Sequence, residues 1–402
     1  MHKWFSNISI SLKEIIGNKR FIIGLYIVFA LAAGVQSLLS GTKTFYEGGN
    51  EYSKYNNYTI FEKSFDHLKN NQDLYILYPQ EHWDLYKYTP TFSVFFGVIA
   101  IFPDWVGLNL WNLLNALVLL FAVYYLPRLS QFQKGLVLLF VLIELITSMQ
   151  NAQSNALIAG LLVFSFGLLE KKRAFFAAFC IVFSVFIKLF GIVGFALFLF
   201  YPKKWKLALY SLFWTALLFA LPLLYIDIEQ YMILVNSYLD LLANDHATSY
   251  GYSVMGWLHS WFSAGIDKNF VVLAGVLLFL IPLYKIRMYK EFMFRYLMLT
   301  SVLLWIVIFN HKAESPTFII AMTGVALWFV FSEKNVLNIV LFTGAFIFTS
   351  LSPTDLFPAV LREEFVKPFA LKVFPCILIW MKVIYDLIVL TPNQTTSQRS
   401  GS

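Results

Sequence analysis

The side chains that could do chemistry here all interrupt apolar sequence. Lys188 lies in Phe186-Ile187-Lys188-Leu189-Phe190, between two short apolar pieces. A charge at mid-depth in a membrane costs about 2.5–3.5 kcal/mol on insertion scales, so it normally faces a cavity or a partner. Lys188 could therefore hold a phosphate; the plainer reading is a lysine snorkelling from a tight turn. Met149-Gln150-Asn151-Ala152-Gln153-Ser154-Asn155-Ala156 is dense in amides. Amides donate and accept together, which suits hydroxyl-rich ligands, and Gln153 and Asn155 are the candidates. Helix capping by Asn and Ser is the alternative. Asn310-His311-Lys312-Ala313-Glu314-Ser315-Pro316 follows an apolar segment. His311 or Glu314 could act as a base and Lys312 could contact phosphate. If the helix continues, His311 and Glu314 share a face; otherwise this is an ordinary solvated loop.

Two further sets of acids stand out. Residues 41–90 hold about a dozen charged residues in a chain that is only 13% charged, and end Glu81-His82-Trp83-Asp84-Leu85-Tyr86-Lys87-Tyr88-Thr89-Pro90. Asp84, flanked by Trp83, Tyr86 and Tyr88, would sit where one side is apolar and the other wet, which tunes an acid's pKa. Glu51 and the other acids of this stretch read mostly as solvation. Tyr86 and Tyr88 could contact sugar rings, although interfacial tyrosines are common without a ligand. Glu144, in Leu142-Ile143-Glu144-Leu145-Ile146, is a buried acid that could pair with Lys188 or serve structure alone. Arg362-Glu363-Glu364 and Asp240/Asp245-His246 read as solvated faces of amphipathic helices.

The elements that must position these groups are membrane helices. The 402-residue chain is 59% hydrophobic, 19% aromatic and of mean hydropathy +0.68, far from an ordinary soluble domain. Lipid cannot hydrogen-bond backbone, and the apolar runs lack a barrel's alternation, so the spans are helices. The net charge of +7 comes from short basic clusters beside the spans, the usual topology signal; nucleic acid is not an expected partner. Cys180 and Cys376 lie in apolar runs, which argues against a disulfide framework or a metal site.

Lys3, Lys13, Lys19 and Arg20 place the N-terminus on the cytoplasmic side, on an amphipathic surface helix. Phe21 to Ser40 is the first span and carries no convincing cleavage site. Residues 41–90 form the first outer loop, with a helix over Asn57 to Lys69 and an extended piece over Gln72 to Pro79. Thr91 to Phe102 is short of the roughly 20 residues needed to cross and reads as a partial helix before Val106 to Leu126. Shorter segments follow, from Leu136 to about Leu390. The basic clusters fall on one side if Thr91 to Leu126 crosses once, which gives about 12 crossings. The polar groups then gather on the outer side, including a second loop over 227–268. The whole of 1–392 reads as one domain and 393–402 as a disordered tail.

No phosphate-binding loop, dinucleotide fingerprint, HExxH or paired CxxC is present. Asp73-Leu74-Tyr75 followed by Tyr86-Lys87-Tyr88-Thr89-Pro90, Ala152-Gln153-Ser154-Asn155, Lys188, Asn310-His311-Lys312 and the Tyr250-Gly251-Tyr252-Ser253 region together resemble glycosyltransferase family 87. These are polytopic GT-C enzymes that include polyprenyl-phosphate-mannose-dependent mannosyltransferases. The resemblance implies an all-α GT-C-like bundle capped at its outer face by the first loop, in the cytoplasmic (inner) membrane. It implies an inverting transfer of a sugar, mannose by analogy, from a polyprenyl phosphate to a lipid or glycan acceptor among membrane lipids, with no cofactor or metal. Lys188 and Lys312 would hold donor phosphate; Gln153, Asn155, Asn57, Tyr86 and Tyr88 would contact sugar or acceptor. The family's early aspartate aligns near Asn56-Asn57, and an amide cannot take a proton. The base then falls to Asp84, Glu314 or Glu51, assisted by His311, or the chemistry has diverged. The alternatives are a transporter or flippase of lipid-linked sugars, and a non-catalytic homologue that binds lipid-linked glycans.

Overall fold

The computed structural model describes residues 12–44, 49–244, 250–263 and 265–392. The expected N-terminal surface helix falls partly outside these residues, as do Asp245, His246 and the tail 393–402. The fold is a helical bundle whose only sheet among the described residues is a two-stranded hairpin, β1 (Thr42–Thr44) against β2 (Glu51–Ser53). Helix α1 (Lys19–Leu39) precedes the hairpin, and α2 (Asn56–Lys69) follows it. Then come α3 (Pro90–Ala100), α4 (Asp104–Tyr125), α5 (Gln131–Gln150), α6 (Asn155–Glu170) and α7 (Ala174–Ile187). The second half holds α8 (Lys204–Ala220), α9 (Ile228–Asn244), α10 (Val254–Phe262), α11 (Lys268–Leu280), α12 (Phe292–Ile308), α13 (Phe318–Phe331), α14 (Val336–Ala345) and α15 (Phe374–Val389). Among the described residues four helical stretches, 19–39, 104–125, 131–150 and 204–224, are long and apolar enough to cross a membrane, alongside several shorter apolar ones.

The bundle has two chemically different ends. At one, Lys19 lies over the Tyr124 ring and the Lys134 ammonium donates to the Tyr124 carbonyl at 2.8 Å. Arg295 meets Glu170 at 2.6 Å there, and Tyr201 donates to the same carboxylate. Lys285 donates to the carbonyls of Ile388 and Leu390 as α15 closes. Lys19 thus shares an end with Lys134, Lys285 and Arg295, as single passage through Thr91–Leu126 requires. At the opposite end Ser37 and Gln36 of α1 meet Gln150 of α5, and Asn155 donates to Pro316 O.

Helix α3 explains this parity. Thr89 caps it, accepting from Phe92 N, and Pro90 at its first position lacks the N–H that would be unsatisfied there. The Thr89 hydroxyl also donates to Phe186 O at the end of α7. Past the other end of α3, Asp104 accepts from Tyr55, which precedes α2. Both flanks of α3 are therefore tied at the polar end, and it does not carry the chain from one end to the other.

Two segments differ from their sequence expectation. Residues 72–79 form turns, because Asp73 Oδ1 accepts from Tyr75 N at 2.9 Å and Asp73 Oδ2 accepts from Ser237, an Asx-type turn that competes with strand. Leu189–Phe200 is a 3-10 helix along its length. Its rise of about 2.0 Å per residue carries twelve residues roughly 24 Å, against about 18 Å for an α-helix. That extra reach returns the chain from Lys188 to Tyr201 at the basic end.

The first loop caps the polar end through aromatic rings. Phe61 of α2 is buried, with its ring centroid 4.8 Å from Tyr88, 5.2 Å from Phe92 and 5.8 Å from Trp111, all edge-on, the arrangement aromatic quadrupoles favour. Glu62 beside it is pushed up to about 7, first by burial and then by the charge of Asp104. An acid whose folded pKa is raised binds more protons folded than unfolded. Its contribution therefore costs stability as pH rises from the ordinary carboxylate range through about 7. Glu62→Gln should flatten that fall, measured as the thermal midpoint of the purified protein between pH 5 and 8; an unchanged slope would contradict this.

Candidate functional site

Lys188 follows α7 in extended conformation (φ −142°, ψ 132°). Its N–H closes the helix on Ser184 O, and Gly191 N returns to Lys188 O at 2.9 Å. Gly191 is required at this reversal, since a Cβ there would lie 2.7 Å from the Ser184 carbonyl carbon. The turn aims the ammonium back over the bundle. Lys188 Nζ donates to Gln153 Oε1 at 3.1 Å and Asn155 Oδ1 at 3.2 Å, and lies 5.3 Å from the Tyr88 ring centroid. Among the described residues no carboxylate stands within ion-pair distance of it. Glu314 and Lys87 act on it only through space.

Gln153 and Asn155 are held from three directions. Ala152 takes a left-handed conformation (φ 48°), and Gln153 N donates to Ser148 O. Trp111 Nε1 donates to Ala152 O and Asn57 Nδ2 to Asn151 O, both at 2.9 Å. Ser154 Oγ reaches the Tyr88 hydroxyl at 3.3 Å. Asn57 therefore secures the amide turn through its own side chain. Its neighbour Asn56 is buried, accepts from Trp83 N at 3.3 Å and has no partner for Nδ2.

The first loop brings Tyr86, Tyr88 and Asp84 in from the side of α3. Tyr86 is buried and its hydroxyl donates to Thr89 O, so it supports the cap's backbone. Tyr88 stacks on Phe92 at 4.6 Å and receives Tyr75's hydroxyl on its carbonyl. Asp84 is half exposed, pairs with Lys87 at 3.2 Å and accepts from Leu85 N. Glu51 sits on the hairpin, accepting from Thr42 at 2.8 Å.

The segment after α12 closes the other side. The helix ends at Ile308 and residues 309–314 turn, so His311 and Glu314 do not share a helical face. Asn310 stops the helix by accepting Lys312 N on its side chain at 3.0 Å. Gly251 fits against this turn with φ +50°; a Cβ would lie 2.7 Å from Ala313 O and 2.8 Å from His311 O. Glu314 caps the short 3-10 turn 315–317 and is exposed. Its charge acts on both Lys188 and Tyr88. Lys188, Gln153, Asn155, Tyr88 and Glu314 thus converge, with Asp84 and Lys87 at the margin.

Glu144 is not the partner of Lys188. It is fully buried and pairs with Lys372 at 2.7 Å, whose ammonium also donates to Thr349 O. Glu144 Oε2 and the Ser148 hydroxyl one turn on have no protein partner. The lysine came from 228 residues away, a separation no local pattern encodes. Sequence reasoning also missed Thr89, whose hydroxyl locks α3 to α7, and Lys87, which pairs with Asp84.

Removing one member of a buried ion pair strands the other charge and costs about 3–5 kcal/mol, whereas removing both is often neutral. Glu144→Gln and Lys372→Met should each lower the thermal midpoint in detergent, and the double variant should recover most of the loss. Additive losses would show that the two side chains do not act as a pair.

A sequence model described as glycosyltransferase family 87 matches residues 86–353, well over half of the chain. The matched stretch holds Tyr88, Gln153, Asn155, Lys188 and Glu314, and leaves α2 with Asn56 and Asn57 outside it. No curated protein matches the chain. The chain belongs to glycosyltransferase family 87 and is a membrane glycosyltransferase.

Proposed function

We propose that the enzyme transfers a sugar, mannose by family analogy, from a polyprenyl phosphate to an acceptor hydroxyl with inversion. The site opens on the polar end of the bundle, which faces outward from the cytoplasmic membrane, while the basic end faces the cytoplasm. One observation carries this reading. Lys188 is the charge at the heart of the polar cluster, and its hydrogen-bond partners are two neutral amide oxygens. Neutral acceptors orient an ammonium without cancelling its charge, which leaves it suited to a phosphate.

In the proposed transfer, Lys188 and Lys312 bind the donor phosphate and stabilise the charge that grows on it as it leaves. Gln153 and Asn155 aim Lys188 and offer their remaining amide groups to sugar hydroxyls. Glu314 is the base that removes the acceptor proton, with His311 in the same turn assisting. Glu314 is favoured over Asp84 because its turn is tied to the Lys188 cluster by Asn155, which donates to Pro316 O, whereas Asp84 stands half exposed and is paired with Lys87. Glu51, exposed on the hairpin with Thr42, is a weaker candidate.

A second reading has its own observation. By the resemblance alone the family's loop aspartate would fall near Asn56-Asn57, and Asn56 is buried with an unpartnered amide nitrogen. A non-catalytic relative that binds lipid-linked glycans would keep Lys188 and dispense with a base.

Transfer in proteoliposomes from a defined polyprenyl-phosphate sugar separates the two. Lys188→Met should lower kcat/KM for the donor about 100-fold, and Glu314→Gln should lower kcat by about 10²–10⁴, the usual worth of a general base. Asp84→Asn should cost less than tenfold. Full activity in Glu314→Gln with loss in Asp84→Asn would move the base to Asp84. Binding of donor without transfer would favour the non-catalytic reading.

A further inference from the structure

At the basic end, where the 3-10 segment that leaves Lys188 finishes, three chain connections meet around a cavity of about 650 Å³. No step of the transfer above uses it. Lys172 comes from the turn between α6 and α7, and Lys203 and Lys206 from the start of α8. Lys290 comes from the approach to α12, and Arg295 from its first turn. Lys172 and Lys203 both occupy left-handed backbone (φ 60°), where the chain reverses. Glu170 is the one carboxylate among the lining residues.

That carboxylate is fully engaged. Arg295 Nε and Nη2 reach its two oxygens at 2.6 and 2.9 Å, and the Tyr201 hydroxyl donates to it at 2.6 Å. Among the described residues, none of Lys172, Lys203, Lys206 and Lys290 has a carboxylate within ion-pair distance. Other lysines of this end find partners. Lys171 lies 3.4 Å from the Tyr125 ring centroid, Lys134 donates to Tyr124 O, and Lys285 donates to Leu390 O. A topology signal requires only that cations lie beside the membrane on one side. It does not require four of them, from three separate connections, to share a cavity without a counter-charge. Like charges so gathered repel, and an anion between them removes that cost.

The surroundings say which anion fits. The wall also holds Phe200, Leu207 and Tyr210, and aromatic rings settle at headgroup level. Next to the cavity the seam between α7 and α8 is apolar. Phe175 packs 5.4 Å from the Tyr210 ring and 5.6 Å from that of Phe213, while Phe176, Leu209 and Phe213 are exposed. A headgroup in the cavity thus has hydrocarbon-facing surface beside it for acyl chains, which a soluble anion would leave unused. We propose that this cavity binds an anionic phospholipid of the cytoplasmic leaflet. Its phosphodiester sits among Lys172, Lys203, Lys206 and Lys290, and its chains run along the α7–α8 seam. The lipid is neither donor nor acceptor; it braces the turn where the 3-10 segment passes into α8. The leaflet follows from the orientation proposed above, and the binding is independent of the transfer.

The test uses the full-length protein in detergent and reads binding, so its outcome is separate from that of the transfer assay. Native mass spectrometry compares dioctanoyl-phosphatidylglycerol with dioctanoyl-phosphatidylcholine, and inorganic phosphate is added as a competitor. The wild type should retain phosphatidylglycerol. Lys203→Gln/Lys206→Gln and Lys172→Gln/Lys290→Gln should each raise the Kd of the tightest-bound phosphatidylglycerol about tenfold. Lys13→Gln/Arg20→Gln removes two charges near the same end but outside the cavity, and should raise it less than about twofold. Equal weakening by that control pair shows diffuse attraction and overturns the proposal. Equal retention of phosphatidylcholine, or displacement by inorganic phosphate, overturns it too. The four lysines are exposed or partly exposed, so an unchanged thermal midpoint verifies the fold. A photoactivatable phosphatidylglycerol then locates the lipid on the unsubstituted protein. Its label should map to residues 171–176 and 203–213; labelling confined to other segments overturns the proposal.

Discussion

Most charges inside this bundle are matched, and Lys188 is not. Glu170 takes Arg295, Glu144 takes Lys372, and Asp386 takes Lys382. Lys188 is held instead by the carbonyl oxygens of Gln153 and Asn155. A half-buried ammonium with only dipoles for company is tolerable where an anion or water completes its shell, and costly elsewhere. The rest of the polar end is arranged around that constraint. The amide turn is pinned by Trp111 and Asn57, the approach to α3 is fastened to α7 by Thr89, and the loop helix α2 is glued above by Phe61.

The matched pairs do a different job. Arg295 and Glu170 tie α12 to α6 at the basic end, where Tyr201 joins them. Glu144 and Lys372 tie α5 to the segment before α15 near the polar end. Each joins elements distant in sequence, and neither leaves its cation free to receive a ligand without displacing a carboxylate. The contrast between these pairs and Lys188 distinguishes scaffold from site in a protein where charge is scarce.

Much of this was legible in the sequence, for identifiable reasons. Apolar runs without alternation dictate helices in lipid. The short apolar run Thr91 to Phe102 announces a partial helix, and the basic clusters sort the chain ends. Lys188, Gln153 and Asn155 could be nominated because polar side chains amid apolar sequence need partners, and they turned out to be one another's. What was hidden is long-range or conformational. Lys372 could not be found as the partner of Glu144 from local pattern. The 3-10 path of Leu189–Phe200 has no signature in an apolar run that suits an α-helix equally well. Ala152 in the left-handed region sits where glycine or asparagine would be the usual signal. At 309–314 the spacing left a continuing helix and a solvated loop both open, and the chain turns there.

The account stands on a phosphate meeting Lys188 at the polar end. A cryo-electron microscopy map of the full-length protein with a non-transferable polyprenyl-phosphate sugar analogue measures this directly. The account predicts phosphate density within hydrogen-bond reach of Lys188 Nζ, with the sugar's reacting carbon turned toward Glu314. The analogue's phosphate at the basic end beside Arg295, or against Arg362 and Lys367 with Lys188 still bound only to its two amides, would contradict it.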